Sequence, residues 1–389
     1  MTNKQIATTL NTVIMKNEIV GSGWTQQIAE DLSNIVEFGK SLTNVTKENL
    51  LNFKQNLVAQ ISNDYVIRKL EKKFFGLSKS RSDFRVALQR IMSAGLIEAT
   101  DSHMNNLSWS NGKDWHDGKY YGADLDSTIY TDTVNFKIPY SLSENEWNEA
   151  FESAEQITML FSLIATNVES SITSKMNALS KRLLVAIIDN CEKATTPRRV
   201  KLVTEFNNIY NAGGDPLTFD TIVKDRNLHA KFNAFVKATI NELRGYTSEP
   251  NYIYNDGSVV TWTPKEKIKC VLLNKFTSDI EYITDPIDYH EKDMPVSYET
   301  INGWQTTGKD IFKTYEDVAT IVIDGEASDT TYSNVVGVIF DVDGAGMEII
   351  QKKVTKEYVG SEDFTNYFHH MSIRNFVDTR LSSIVLELT

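Results

Sequence analysis

A chain of 389 residues, 41% hydrophobic and 24% charged, has the length and apolar content to bury a sizeable core, which excludes a wholly disordered protein. Its 52 acidic residues against 40 basic ones give a net charge of −12, which repels phosphate and excludes nucleic acid as a tightly held ligand. The start, MTNKQIATTL, has no signal-peptide pattern, and the longest apolar run, Ile157 to Ala165, is far short of the ~20 residues of a membrane span, so the expectation is a protein made and kept in a cytosol.

Residues 1–100 read as a string of helices. Trp24, Ile28, Leu32, Ile35 and Val36 recur at helical spacing, as do Leu50, Phe53, Leu57 and Ile61. Asn44 or Thr46 can cap the second group, and Asp83 can open a further helix carrying Phe84, Leu88 and Ile91. The character changes at Asp101, where Asn, Asp, Gly, Ser, Trp and Tyr dominate. Within this stretch Tyr130, Asp132, Val134, Phe136, Ile138 and Tyr140 fall on one side of a period-2 pattern, with Asn135 and Lys137 on the other. An excursion of roughly forty residues is too long for an ordinary connection and reads as an ordered hairpin packed against something else.

Ser143 opens the clearest helix. Ser143 and Glu146 form a capping box, and Glu144, Glu146 and Glu149 suit the positive end of the dipole. Apolar residues continue to Ile187, predicting about fifty residues of helix, roughly 75 Å, with a candidate break near Thr166 and Asn167. Shorter helices follow between Thr196 and Leu243, with a turn from Asn211 to Pro216. The remainder is strand-biased. Asp256 and Gly257 predict a hairpin turn before Ser258–Trp262. Strands are expected at Ile268–Leu273, Val318–Ile323, Val335–Phe340, Met347–Ile350 and Ser383–Leu388. This order predicts an α+β fold.

The most chemical-looking motif is the run from Val335 to Gly344, VVGVIFDVDG. A hydrophobic strand ending in D-x-D-G resembles the nucleophile motif of haloacid-dehalogenase-type phosphatases, with Asp341 as nucleophile, Asp343 as acid/base, and magnesium. The short remainder of the chain cannot supply the other parallel strands of that core, and D-x-D-G is good turn chemistry. His369 and His370 lie near Glu362 and Asp363, but adjacent histidines diverge, so packing beside Phe364, Tyr367 and Phe368 is expected rather than metal ligation. The basic run from Pro197 to Lys201 reads as solvated charge at a helix end. Trp109, Trp115, Tyr120 and Tyr121 beside Lys113 and Lys119 imitate a base-stacking surface, which Asp114, Asp117, Asp124 and Asp126 oppose. Burial against a neighbouring subunit suits these aromatics, together with Tyr130, Val134 and Phe136. Cys191 and Cys270 read as free thiols of a reducing compartment. No catalytic residue, cofactor or metal is expected.

The C-terminal quarter carries a resemblance. Val335 to Met347, Lys352 to Thr355, the aromatic-rich Asn366 to His370, and a terminal strand around Ile384 to Leu386 resemble the ends of major capsid proteins of small, short-tailed, double-stranded-DNA phages. The resemblance implies the Hong Kong 97 fold: an N-terminal helical arm at residues 1–100, an extended hairpin (E-loop) at 101–142, a spine helix of a peripheral domain at 143–195, an axial domain at 196–330, and strands at 331–389 completing both domains. It implies a major capsid protein assembling with itself as hexamers and pentamers, with portal and scaffold proteins as further partners. Such a shell encloses double-stranded DNA without specific binding and has no membrane partner. The alternatives are the phosphatase using Asp341 and Asp343, or another virion structural protein.

Overall fold

The computed structural model describes residues 2–17, 23–24, 26–61, 77–79, 88–93, 125–194, 196–250, 253–257, 260–281, 297–305, 318–323 and 329–389. The helices are α1 (Asn3–Asn17), α2 (Ile35–Leu42), α3 (Lys47–Ile61), α4 (Glu144–Ala150), α5 (Ala154–Lys193), α6 (Leu202–Tyr210), α7 (Phe219–Lys224), α8 (Arg226–Thr247) and α9 (Asn274–Glu281). The strands are β1 (Ser78–Lys79), β2 (Leu88–Ser93), β3 (Leu125–Tyr130), β4 (Thr133–Ser143), β5 (Arg199–Lys201), β6 (Ile268–Leu273) and β7 (Glu299–Ile301). They continue with β8 (Ile321–Ile323), β9 (Thr330–Tyr332), β10 (Val335–Asp341), β11 (Ala345–Val359), β12 (Phe364–Val377) and β13 (Ser383–Glu387). The class is α+β, as the residue pattern predicts. The chain divides into two compact units, the first being Met1–Arg85, Asp132–Ser180 and Gly346–Asn375, the second Val86–Thr131, Lys181–Ala345 and Phe376–Thr389.

In the first unit, Phe53, Leu57 and Ile61 repeat every fourth residue and are buried along α3. Asn11 ties α1 to the chain beyond it, donating through Nδ2 to the Ile28 carbonyl at 3.0 Å and accepting the Ile28 N–H at 2.7 Å. Phe38 of α2 makes edge contacts with the rings of Trp24 at 5.3 Å and of Phe53 and Phe151 at 5.9 Å. Such pairs add about 0.5–1.5 kcal/mol each beyond burial. Gly39 permits this approach, since a Cβ there would lie 2.6 Å from the Phe151 Cβ.

The capping box at α4 forms: Ser143 Oγ accepts the Glu146 N–H at 3.2 Å, and Glu146 Oε2 accepts the Ser143 N–H at 2.8 Å. The helix is interrupted at Phe151, where the ring stacks on Trp147 at 6.4 Å. It restarts with Ser153 Oγ accepting the Gln156 N–H at 3.2 Å. The break thus falls at Phe151–Ser153, and α5 runs unbroken through Thr166 and Asn167 for 40 residues, about 60 Å. The sheet of this unit has the order β1-β11-β12-β4. β4 pairs antiparallel with β12 from Thr133↔Arg374 to Ser143↔Phe364, and its residues alternate exposed and half-buried as the period-2 pattern requires.

The second unit is built on the sheet β5-β13-β10-β6-β7. Every residue of β10 and β13 is buried, so these strands read as continuous apolar runs rather than alternating ones. An aromatic cluster joins α6 to α8: Phe206 meets Phe232 at 5.3 Å and Phe235 at 5.7 Å. Asp225 caps α8 by accepting the N–H groups of Asn227 at 2.8 Å and Leu228 at 3.1 Å.

Some expectations require correction. Leu88–Ser93 is a strand, paired antiparallel with Leu125–Tyr130, where the spacing of Leu88 and Ile91 predicts helix. A short apolar run fits both periods, and long-range pairing decides between them. Of the hairpin expected at Asp256, Ser258 and Val259 lie outside the described residues; Gly257 takes a positive φ of 81°, its N–H is accepted by Asn255 Oδ1 at 2.8 Å, and Thr261 makes a single bridge. The strand expected at Val318 begins at Ile321, and the one expected at Met347–Ile350 is the much longer β11.

Candidate assembly surfaces

Asp341 ends β10, which lies between β13 and β6 and is antiparallel to both. A phosphatase nucleophile strand needs parallel neighbours, so the sheet does not provide that core. The two carboxylates are engaged in a turn. Asp341 Oδ1 accepts the Asp343 N–H at 2.7 Å, and its Oδ2 accepts the Thr263 hydroxyl at 2.8 Å. Asp343 Oδ2 pairs with Lys267 Nζ at 2.9 Å. Burial pushes the Asp341 carboxyl above its ordinary range. This is turn capping.

His369 and His370 occupy successive positions of β12 and so face opposite sides. Burial, and the neighbouring His370, push His369 down to about 4. His370 Nε2 lies 2.9 Å from Thr355 Oγ1. Among the described residues no group of three or more His, Cys, Asp or Glu side chains is placed to hold a metal ion. No helix among them is long and apolar enough to cross a membrane.

The sequence reading missed Arg198. Taken as solvated helix-end charge, it is only 5% exposed. Its Nη1 donates to the Tyr254 carbonyl and to Ser383 Oγ, both at 3.0 Å, and its Nη2 to the Asn190 carbonyl near the end of α5 at 3.3 Å. It therefore closes a helix end from within the core. Arg199, the next residue, matches the surface reading better, meeting Glu192 at 3.2 Å while 37% exposed. Nothing in the sequence distinguishes the two arginines. Cys191 and Cys270 are free and buried, and Cys191 Sγ donates to Ser383 Oγ at 3.2 Å.

Of the residues predicted to meet a neighbouring subunit, Trp109, Trp115, Tyr120 and Tyr121 lie outside the described residues. Tyr130, Val134 and Phe136 are half-buried within their own chain. Tyr130 touches the Phe376 ring at 5.7 Å. Val134 stands opposite Ile373 and Phe136 opposite Met371 on β12, with Lys175 Nζ 5.9 Å over the Phe136 ring. Large apolar side chains that do face solvent lie elsewhere: Met159 and Leu163 one turn apart on α5, Ile129 on β3, and Tyr246, Ile253 and Trp262 in the second unit. These were not anticipated, because exposure of a lone apolar residue leaves no periodic mark.

The chain is thus α+β, with its catalytic-looking motif engaged in a capped turn. Comparison with known proteins identifies the structure it serves. The family model of Phi29-like phage major capsid proteins matches residues 15–379, and the chain belongs to that family. It is a major capsid protein, a shell-forming component of the virion and not an enzyme. No curated protein matches it. Among solved structures it is similar to a chain of the Staphylococcus phage Andhra capsid, with TM-score 0.49, 10% identity, and 80% of this chain and 83% of that one covered. A chain from the structure of the head fiber and inner core protein gp22 of bacteriophage P68 gives TM-score 0.44 and 11% identity over 80% and 83%. One from the capsid of cyanophage P-SCSP1u gives 0.43 and 11% over 80% and 86%. Family membership rests on the sequence match.

Proposed function

We propose that this capsid protein assembles as hexamers and pentamers into an icosahedral shell that encloses double-stranded DNA without gripping it. The family match over residues 15–379 carries the reading, and the net charge of −12 supports a wall from which packaged DNA slides free. The N-terminal helices act as the arm and α5 as the spine. Residues 196–330 serve as the axial domain, and residues 331–389 complete both domains. Portal and scaffold proteins are the further partners, met in the host cytoplasm before assembly.

The segment between β2 and β3, with Trp109, Trp115, Tyr120 and Tyr121, is the part we assign to overlap with a neighbour. Support comes from the six-residue ladder that brackets it and from its aromatic content. Tyr130, Val134 and Phe136 extend this contact only through surface left free by their own subunit. Replacing residues 95–123 with a short Gly-Ser linker, while retaining both strands, should leave a soluble folded subunit that forms no shells, measured by sedimentation. Normal shells would remove the E-loop role; an insoluble variant would place the segment in the core of its own subunit.

A further inference from the structure

The second unit exposes an apolar patch that neither its core nor the E-loop reading uses. Trp262 is 59% exposed, Ile253 73% and Tyr246 50%. Hydrogen bonds draw together the three segments that carry them. The Thr263 N–H donates to the Thr247 carbonyl at 2.9 Å, laying residue 262 beside the end of α8. Asn255 Nδ2 donates to Thr261 Oγ1 at 2.9 Å, drawing the Ile253–Gly257 turn to the same place. Tyr254, next to Ile253, is held above its ordinary pKa by burial first and then by the nearby Tyr246 and Glu242.

Holding three large apolar groups in water is unfavourable, and such clusters on soluble proteins mark contacts. The surroundings indicate what covers this one. Glu242 and Glu249 are exposed on the helix side, and Lys265 on the side of Trp262. A rim carrying both signs is self-complementary, so two copies of a chain with net charge −12 can meet here without adding to their repulsion. With three residues partly exposed, the patch presents on the order of 300 Å², well below the ~800 Å² per partner of a stable pair. Contacts of this size hold only when several act together, as in a closed shell.

We infer that Tyr246, Ile253 and Trp262 form an intersubunit contact that receives a second copy of this chain. The inference rests on the capsid reading and adds a contact in the second unit apart from the β2–β3 excursion.

Both native thiols are buried, so an Ile253→Cys variant offers a single readily accessible one. A maleimide should label it rapidly in free subunits and at least about tenfold more slowly in shells assembled from the chain. Independently, Trp262→Ser should melt like wild type yet raise the subunit concentration needed for assembly by about tenfold or more, as loss of a central aromatic anchor does. Equal labelling in shells and subunits, or unchanged assembly of Trp262→Ser, overturns the contact and leaves the capsid reading intact. A wild-type chain that never leaves the monomer fraction overturns both.

Discussion

Replacing Glu144 by glutamine tests how the N-terminal helices are held to the rest of the first unit. Lys54 of α3 is 4% exposed as a side chain, and its Nζ lies 2.6 Å from Glu144 Oε2, whose side chain is 20% exposed. Burial pushes the Lys54 ammonium below its ordinary pKa, and the Glu144 carboxylate opposes that shift. The partners are therefore unequal. Glu144→Gln keeps the shape but leaves a cation in the interior, with the Trp147 ring 5.4 Å from Nζ and only a weaker pull from Asp363. Breaking a buried pair from one side costs about 3–5 kcal/mol, and the partial exposure of Glu144 places the loss near 3. Lys54→Met keeps the apolar stem and leaves Glu144 at a helix N-terminus, where dipole and solvent both accommodate it, so about 1 kcal/mol is expected. The pH dependence has a definite sign. A lysine whose folded pKa is depressed binds fewer protons folded than unfolded between the two values, so stability rises with pH through that window. The Glu144→Gln deficit should accordingly shrink as pH rises toward the ordinary lysine pKa. Urea unfolding of unassembled subunits reads all of this. A larger loss for Lys54→Met than for Glu144→Gln, or a deficit indifferent to pH, would refute the reasoning.

His369 supplies a second pH effect of the same sign at lower pH. Its folded pKa near 4 lies below the unfolded 6.5, so stability should fall by up to ~3 kcal/mol as pH drops from 7 toward 4. A His369→Phe variant should lose that part of the slope in parallel unfolding curves. Asp341→Asn replaces one of two accepting oxygens with a donor, and chemical denaturation should show about 1–2 kcal/mol lost. No magnesium-dependent phosphate release should be detectable in wild type or variant; hydrolysis abolished by the substitution would restore the phosphatase reading. Ser162→Pro, placed within α5, should cost ~3 kcal/mol or more in a thermal melt, and an unchanged melt would count against the continuous helix.

The legible parts of the fold were those specified locally. The Ser143–Glu146 box, the period-2 face from Val134 to Tyr140, and the apolar runs of β6, β10 and β13 depend on neighbours within a few residues, and each forms where the pattern places it. What escaped was decided by distant partners. Leu88 and Ile91 are captured by a strand that begins at Leu125, 37 residues after Leu88. Phe151 interrupts the helix within an aromatic cluster containing Phe38 and Trp147. Arg198 is buried because Tyr254 and Ser383 bring acceptors to it. The surface was least legible: Trp262 and Ile253 carry no spacing signal, and their exposure becomes apparent only when the turn and helix end meet.

The buried ion pairs suggest how a weakly associating surface can coexist with a definite subunit. Arg374 Nη1 lies 3.3 Å from Glu348 Oε2, joining adjacent strands of the first unit. In the second, Arg380 holds Asp378 through Nε at 2.8 Å and Nη2 at 2.9 Å. With the charges desolvated, such pairs add little net stability compared with apolar packing, but a wrong arrangement strands a charge and costs several kcal/mol. They therefore penalise alternative packings more than they deepen the native one. A shell requires that bias. Each subunit must present the same surfaces, the proposed contact at Trp262 and Ile253 among them, at reproducible positions. Many contacts too weak to hold a pair can then add coherently around a closed surface. Were the interior plastic, every displaced patch would break that addition, and larger apolar contacts would be needed, at the risk of premature aggregation.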